Sequence, residues 1–305
     1  MIGRAWAVCF ARAGMSVAIW SRNDQSSIAA KRFVKESLAL LETEGLLGEC
    51  AAADIPDRIE IHRSLDSAVK DAEYVQENLP EDLATKRAIF TELDDLCGPD
   101  TIIASSASAL LASEFTKSLA GRDRCLVVHP VNPPYLIPAT EIVPAPWTAK
   151  SVVEKACRIL SQAGQVPVVL AKEIDGFVVN RLQAALLNEA FRLVGEGYAE
   201  VADIDTAIKH GLALRWSFMG PFETIDLNAP EGVRDYVGRY FELYRNLLSQ
   251  MEHMAEWRGE VLNQIEAARR KILPVDELAT RQAWRDRRLM ALAAHKVEIN
   301  KRIGR

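Results

Sequence analysis

An α/β domain built on a parallel sheet, with an all-helical domain after it, is the fold class that the sequence predicts, and three observations predict it. Up to about residue 172, short β-branched runs alternate with amphipathic stretches, the pattern of strands joined by crossover helices. After Asp175 the β-branched runs stop and long helical periodicities take over. With 305 residues, 49% hydrophobic and 26% charged, the chain has apolar surface for more than one core, so two domains are expected, residues 1–172 and 173–305.

The strand candidates are Ser16–Trp20 (SVAIW), Glu73–Gln76 (EYVQ), Thr101–Ala104 (TIIA), Cys125–His129 (CLVVH), Thr140–Val143 (TEIV) and Pro167–Leu170 (PVVL). Helices are expected over Gly3–Gly14, Ile28–Leu47, Leu83–Leu96 and Ser151–Ala163, the last three bounded by Gly, Pro or Asp at a plausible end. The second half carries helical patterns at Gly176–Val194, Ala202–Gly211, Gly232–Met251, Trp257–Leu273 and Glu277–Asn300.

The first half reads as a Rossmann-like domain whose first strand is absent. A dinucleotide fingerprint is a strand followed by G-x-G-x-x-G, which lets backbone N–H groups at a helix N-terminus approach a pyrophosphate. Here only the last glycine stands, Gly3, with Met1 and Ile2 before it, and these three residues are the candidates for that contact. Gly3 also reads as a simple packing glycine. The expectation is a miscalled start, with in-frame codons upstream encoding the strand and the two glycines. After the strand SVAIW, an acid ordinarily accepts the hydrogen bonds of the adenosine ribose of NAD. Ser21 holds that position, followed by Arg22, and Asp24 is the nearest acid. NAD is the expected cofactor, and Ser21 with Arg22 leaves NADP open.

The segment Val127–Glu141 (VVHPVNPPYLIPATE) ends an apolar strand on a histidine and enters a proline-rich loop, at the sheet edge where open α/β folds bind ligands. Oxidising a secondary alcohol requires removal of the hydroxyl proton as hydride leaves the same carbon, and imidazole suits that transfer near neutral pH. His129 is the candidate base, and Glu141 in the following strand is the candidate carboxylate that orients it. A lone histidine at a strand end also reads as a satisfied structural residue.

The run His-Pro-Val-Asn-Pro-Pro-Tyr at 129–135, with Glu141 beyond it, resembles the catalytic segment of the 3-hydroxyacyl-CoA dehydrogenase family, and the doubled proline with Tyr135 is similar to its lambda-crystallin or L-gulonate 3-dehydrogenase branch. Other segments follow in order. Ser105–Leu111 (SSASALL) resembles the family's serine turn, which implies a substrate contact for Ser108. Gly176–Leu182 (GFVVNRL) resembles the start of its helical domain, which implies a substrate hydrogen bond from Asn180. Glu77–Lys86 (ENLPEDLATK) resembles the loop on the nicotinamide side of the cofactor, which implies contacts from Glu81 and Lys86. Arg215–Asn228 contains the family's Met-Gly-Pro-Phe-Glu core, and Arg281–Lys296 resembles the lambda-crystallin tail. Read without the family, Ser108 is a turn or cap residue, Asn180 a solvated helix residue, and Glu81 with Lys86 an exposed helical pair.

The implied activity is oxidation of a 3-hydroxyl to a 3-keto group. Two substrates share that chemistry, a 3-hydroxyacyl thioester of coenzyme A and a free sugar acid such as L-gulonate. A free carboxylate asks for a fork of donors, which Arg215 supplies, and Asn132 joins Ser108 and Asn180 as a substrate contact. The short Arg-Trp element and the long tail favour the gulonate branch. A non-catalytic, crystallin-like structural role is the reading from another class.

A net charge of −5 gives no field to hold a polyanion, so no nucleic-acid partner is expected. No apolar run approaches the roughly 18 residues of a membrane span, and no signal-peptide pattern opens the chain, so the cytoplasm is the expected location. Five scattered cysteines without paired spacing predict reduced thiols and no metal site. The apolar helices of the second half predict a homodimer through Gln183–Val194 and Phe241–Leu248, with Arg281–Lys296 packed on that domain or on the partner.

Overall fold

The computed structural model describes residues 2–47, 52 and 55–304. Met1, one of the expected cofactor contacts, lies outside them, as does Cys50. The first half runs α1 (Ile2–Arg12), β1 (Val17–Trp20), α2 (Asp24–Thr43), β2 (Ile59–His62), α3 (Leu65–Val69), β3 (Tyr74–Glu77), α4 (Leu83–Leu96), β4 (Ile102–Ser105), α5 (Ala112–Thr116), β5 (Cys125–Pro130), β6 (Ala139–Pro144), α6 (Lys150–Gln162) and β7 (Val166–Val169). Side chains fix the helix starts. Asn23 accepts from the Gln25 N–H at the head of α2, Ser64 from Ser67 at α3, and Asp82 from Thr85 at α4.

β1 and β2 pair in parallel, and β3 to β7 form a second sheet in chain order. Among the described residues no strand lies between β1 and β3. A slot of about 1030 Å³ opens there, lined by every residue of both strands together with Trp6, Ala7 and Phe10 of α1.

The five-stranded sheet is covered on both faces, and strand alternation sorts its side chains between them. Ile102 and Ala104 of β4, Leu126 and Val128 of β5 and Ile142 of β6 join Trp6, Val8, Leu38, Leu41 and Leu160 in one core. Ile103, Cys125, Val127 and Val143 join Phe90, Leu93, Phe115 and Phe177 in the other.

Two features of the sheets go beyond what the sequence announced. β2 was not anticipated, because its sequence, IEIH, carries two polar residues and is short. The sheet is not wholly parallel, since β6 runs antiparallel to β5. A parallel return needs a crossover of about a dozen residues or more, and the loop 131–138 is too short to supply one.

The second half continues with α7 (Val179–Gly195), α8 (Val201–Ala207), a π-helical turn (Ile208–Leu212), α9 (Ala213–Trp216), α10 (Pro221–Leu227), α11 (Val233–Gln250), α12 (Gly259–Ile272) and α13 (Leu278–Ile303). The compact units do not divide at residue 172. One comprises residues 1–180 and 282–305, the other 181–281. The terminal segment therefore belongs with the sheet rather than with the helices, and the reason is apolar: Met290 is buried in the first core, with Leu289 against it. Within the helical unit, Phe191 stacks on Trp257 with ring centroids 4.7 Å apart.

Candidate active site

The antiparallel turn that the sequence reading missed is what builds the central pair. In the β5–β6 register His129 stands directly opposite Glu141, and the ring Nδ1 lies 2.8 Å from Glu141 Oε2. Both side chains are buried. The other carboxylate oxygen, Oε1, accepts from the backbone N–H groups of Val178 at 2.7 Å and Val179 at 3.0 Å, at the entry to α7. Glu141 is thus satisfied on both oxygens, which buried charge requires. With Nδ1 engaged, Nε2 is the nitrogen left for a substrate.

Phe177 holds the ring from another side, its centroid 5.4 Å from that of His129. It is fully buried and has φ of +53°, a conformation that few non-glycine residues adopt. Sequence reasoning passed over Phe177, and nothing local in Asp-Gly-Phe announces that backbone angle.

A cavity of about 230 Å³ opens beside His129. Of the residues expected from the sequence, Ile2, Glu81, Lys86, Ser108, His129 and Asn132 all line it. Asn180 completes the group, donating from Nδ2 to the Ser108 carbonyl at 2.9 Å. Gly3 and Ser21 line the larger slot instead, and Arg215 lies exposed in the helical unit. An added Cβ at Gly3 would meet Asn78 Nδ2 at 3.2 Å, and Asn78 is itself held by the Gln76 carbonyl and the Ser106 hydroxyl. Gly3 therefore serves close packing of α1 on the end of β3.

Glu81 is exposed and Lys86 buried, and each is tied to other groups rather than to the other. Glu81 Oε1 accepts from three successive backbone N–H groups, of Ser108 (2.7 Å), Ala109 (2.5 Å) and Leu110 (3.1 Å), tying the serine turn to the β3–α4 loop. Partial burial pushes the Glu81 carboxyl upward, but these amides and the Ser108 hydroxyl outweigh it and hold the group below its ordinary value. Lys86 is buried, and its three donors go to both oxygens of Glu77 (2.9 and 2.7 Å) and to the Leu79 carbonyl (3.0 Å). Glu77 also accepts from the Ser105 hydroxyl at 2.7 Å and from the Leu79 N–H. Glu77 and Ser105 were not singled out from sequence, because their importance lies in a pairing of β3 with β4 that spacing does not reveal.

The far side of the His129 loop is anchored as well. Arg12 donates to the Tyr135 carbonyl at 2.9 Å. The Tyr135 hydroxyl is raised above its usual range by burial and by the nearby Asp286 carboxylate of α13.

For NAD the walls fit. The first turn of α1 carries no acid, so its N–H groups would meet a pyrophosphate without repulsion, and Ile2 at that turn shares a cavity with His129. A paired histidine and carboxylate beside this nucleotide-binding sheet define the class, a nicotinamide-dependent dehydrogenase of secondary alcohols. Residues 1–174 match the NAD binding domain of 3-hydroxyacyl-CoA dehydrogenase, and residues 176–260 match the C-terminal domain. The chain belongs to the 3-hydroxyacyl-CoA dehydrogenase family.

Its relatives span several activities. It is 40% identical to the lambda-crystallin homolog of Bos taurus over 98% of this chain and 94% of that one. It is 37% identical to the L-carnitine dehydrogenase of a Pseudomonas species over 79% and 74%. Among solved structures it is similar to an NAD+-dependent dismutase, 5-formyl-3-hydroxy-2-methylpyridine 4-carboxylic acid 5-dehydrogenase, with a TM-score of 0.81 and 25% identity over 95% of this chain and 94% of that one. The 3-hydroxybutyryl-CoA dehydrogenase of Escherichia coli aligns at a TM-score of 0.65 and 26% identity over 74% and 47%.

Proposed function

We propose that this dehydrogenase oxidises the 3-hydroxyl of a free hydroxy acid, in the manner of an L-gulonate 3-dehydrogenase, rather than a coenzyme A thioester. The observation that carries the chemistry is the His129–Glu141 pair at the wall of a cavity shared with Ser108 and Asn132. Nε2 of His129 takes the substrate hydroxyl proton, while Glu141 fixes the ring and balances the positive charge it gains. Ser108 and Asn132 hold the hydroxyl and its neighbours, and Asn180 fixes the Ser108 turn through its carbonyl. NAD, when bound, supplies the hydride acceptor. Glu81 and Lys86 act by shaping the loop that carries the nicotinamide side of the site.

The choice of a free acid rests on similarity. The lambda-crystallin homolog matches nearly the whole chain, and the L-carnitine dehydrogenases are named for a free 3-hydroxy acid. Arg215 is the residue we assign to the substrate carboxylate. We place the enzyme in the cytoplasm as a homodimer. Its four described cysteines are free thiols, which suits a reducing compartment, and no described helix is long and apolar enough to cross a membrane.

The test is steady-state oxidation of L-gulonate, L-carnitine and 3-hydroxybutyryl-CoA with NAD. The free acids should be preferred, and Arg215→Ala should raise KM for the preferred acid about tenfold or more, the scale of a lost charge-assisted contact. A preference for the thioester, or an unchanged KM in that variant, would overturn the reading.

A further inference from the structure

The carboxyl edge of β1 and β2 is where the adenosine ribose lies when a sheet of this kind binds a dinucleotide. In this chain two arginines stand at that edge, and the nearest acid in the chain is Asp24 at the start of α2. β1 ends at Trp20, and Ser21 and Arg22 follow before Asn23 caps α2. The parallel register ends on the pair Trp20 and His62, so Ser21 and Arg63 are the first residues past the two strands at the same edge. Sequence alone did not couple Arg63 to this position, because β2 was not anticipated.

Among the described residues neither Arg22 nor Arg63 has an ion-pair partner, and Arg22 is exposed. Glu60, the acid on β2, is drawn to His62, 3.5 Å from its Nε2. Ser64 is occupied in capping α3. Ser21 Oγ lies 3.4 Å from the Asn23 N–H, lines the slot and keeps its hydroxyl proton to donate.

A ribose 2′-hydroxyl asks for a carboxylate acceptor, whereas a 2′-phosphate asks for donors and is repelled by a carboxylate. A serine followed by one arginine, with a second arginine past the end of the neighbouring strand, carries the donors that meet the second demand. We propose that the adenosine end of this site accepts a 2′-phosphate, so that the enzyme takes NADP(H) as well as NAD(H). Ser21, Arg22 and Arg63 form the phosphate subsite. The inference rests on the nucleotide-binding reading of the domain.

The test is fluorescence titration of the purified chain with NADH and NADPH, repeated on Ser21→Asp and on the Arg22→Ala/Arg63→Ala double variant. These side chains sit at the ends of strands, away from both cores, and folding is checked by circular dichroism. NADPH is expected to bind as tightly as NADH, to within about threefold, and the double variant to weaken NADPH about tenfold or more while leaving NADH unchanged. Ser21→Asp should weaken NADPH while keeping NADH, creating a preference for NADH. Free 2′-AMP should compete better than 5′-AMP. NADPH binding much weaker than NADH, or equal losses for both in the double variant, would overturn the subsite while leaving the dehydrogenase reading intact. Binding of neither nucleotide would overturn both.

Discussion

His129 can act as a base only while its ring is held in one orientation, and three features do this: Glu141 at Nδ1, the tilted ring of Phe177 beside it, and the strand that carries it. Glu141→Gln keeps the shape and one acceptor but removes the charge that balances a protonated ring. Its kcat should fall about 10²- to 10⁴-fold, with little change in melting temperature. Glu141→Ala should also lose stability, because the part-buried amides of Val178 and Val179 lose their acceptor, at about 1 kcal/mol each. Equal activity in Glu141→Gln and the wild type would remove the carboxylate from the mechanism. Glu81 gives a pH prediction. Its carboxyl is depressed in the folded protein, so its contribution is complete above the unfolded value of about 4.3 and fades as pH falls through the lower folded value. Amide exchange protection at Ser108, Ala109 and Leu110 should therefore drop in acid. The same acid dependence in Glu81→Gln would show that another group is responsible. His129 and Glu141 were legible because strand, loop and strand lie within one short segment. Phe177 and Glu77 were not, since a left-handed backbone angle and a buried cross-strand pairing leave no local trace.

At the scale of elements, the β3–α4 loop is built around the buried Lys86–Glu77 pair. Breaking such a pair from one side strands a charge in the interior, which costs about 3–5 kcal/mol. Lys86→Ala should show that loss in denaturant unfolding and should weaken nucleotide binding, as the loop bearing Leu79 and Glu81 loses its anchor. Lys86→Met combined with Glu77→Gln should recover part of the stability, because no charge is then left alone. A Lys86→Ala protein as stable as the wild type would mean that water reaches Glu77. Most elements were legible: six strands were expected, and each is found displaced by no more than a residue or two at either end. Direction was harder. Apolar runs predict a strand without saying which way it lies, so the antiparallel β6 emerges only when the length of loop 131–138 is weighed against what a crossover needs.

For the molecule as a whole, the sequence separated a sheet half from a helical half but misplaced the tail. Helical periodicity in Arg281–Lys296 is the same whether the helix packs on helices or on a sheet, so only the burial of Met290 assigns it. Assembly is the remaining property at this scale. α11 is 18 residues long and has no buried residue, yet it carries Val237, Tyr240, Phe241, Tyr244, Leu247 and Leu248, with Phe241 54% and Leu248 61% exposed. α7 likewise leaves Leu182 and Leu186 in the open. An amphipathic helix that leaves so much of its apolar stripe exposed is suited to cover by a partner, and a second copy presents the same stripe. Sedimentation at micromolar concentration should give twice the mass of the chain. Phe241→Asp combined with Leu248→Asp should give a monomer with lowered thermal stability, since folding of the helical unit and association are then linked. A wild-type chain that sediments as a monomer would locate the function of this face elsewhere, and a dimer unaffected by the double variant would shift the interface to α7.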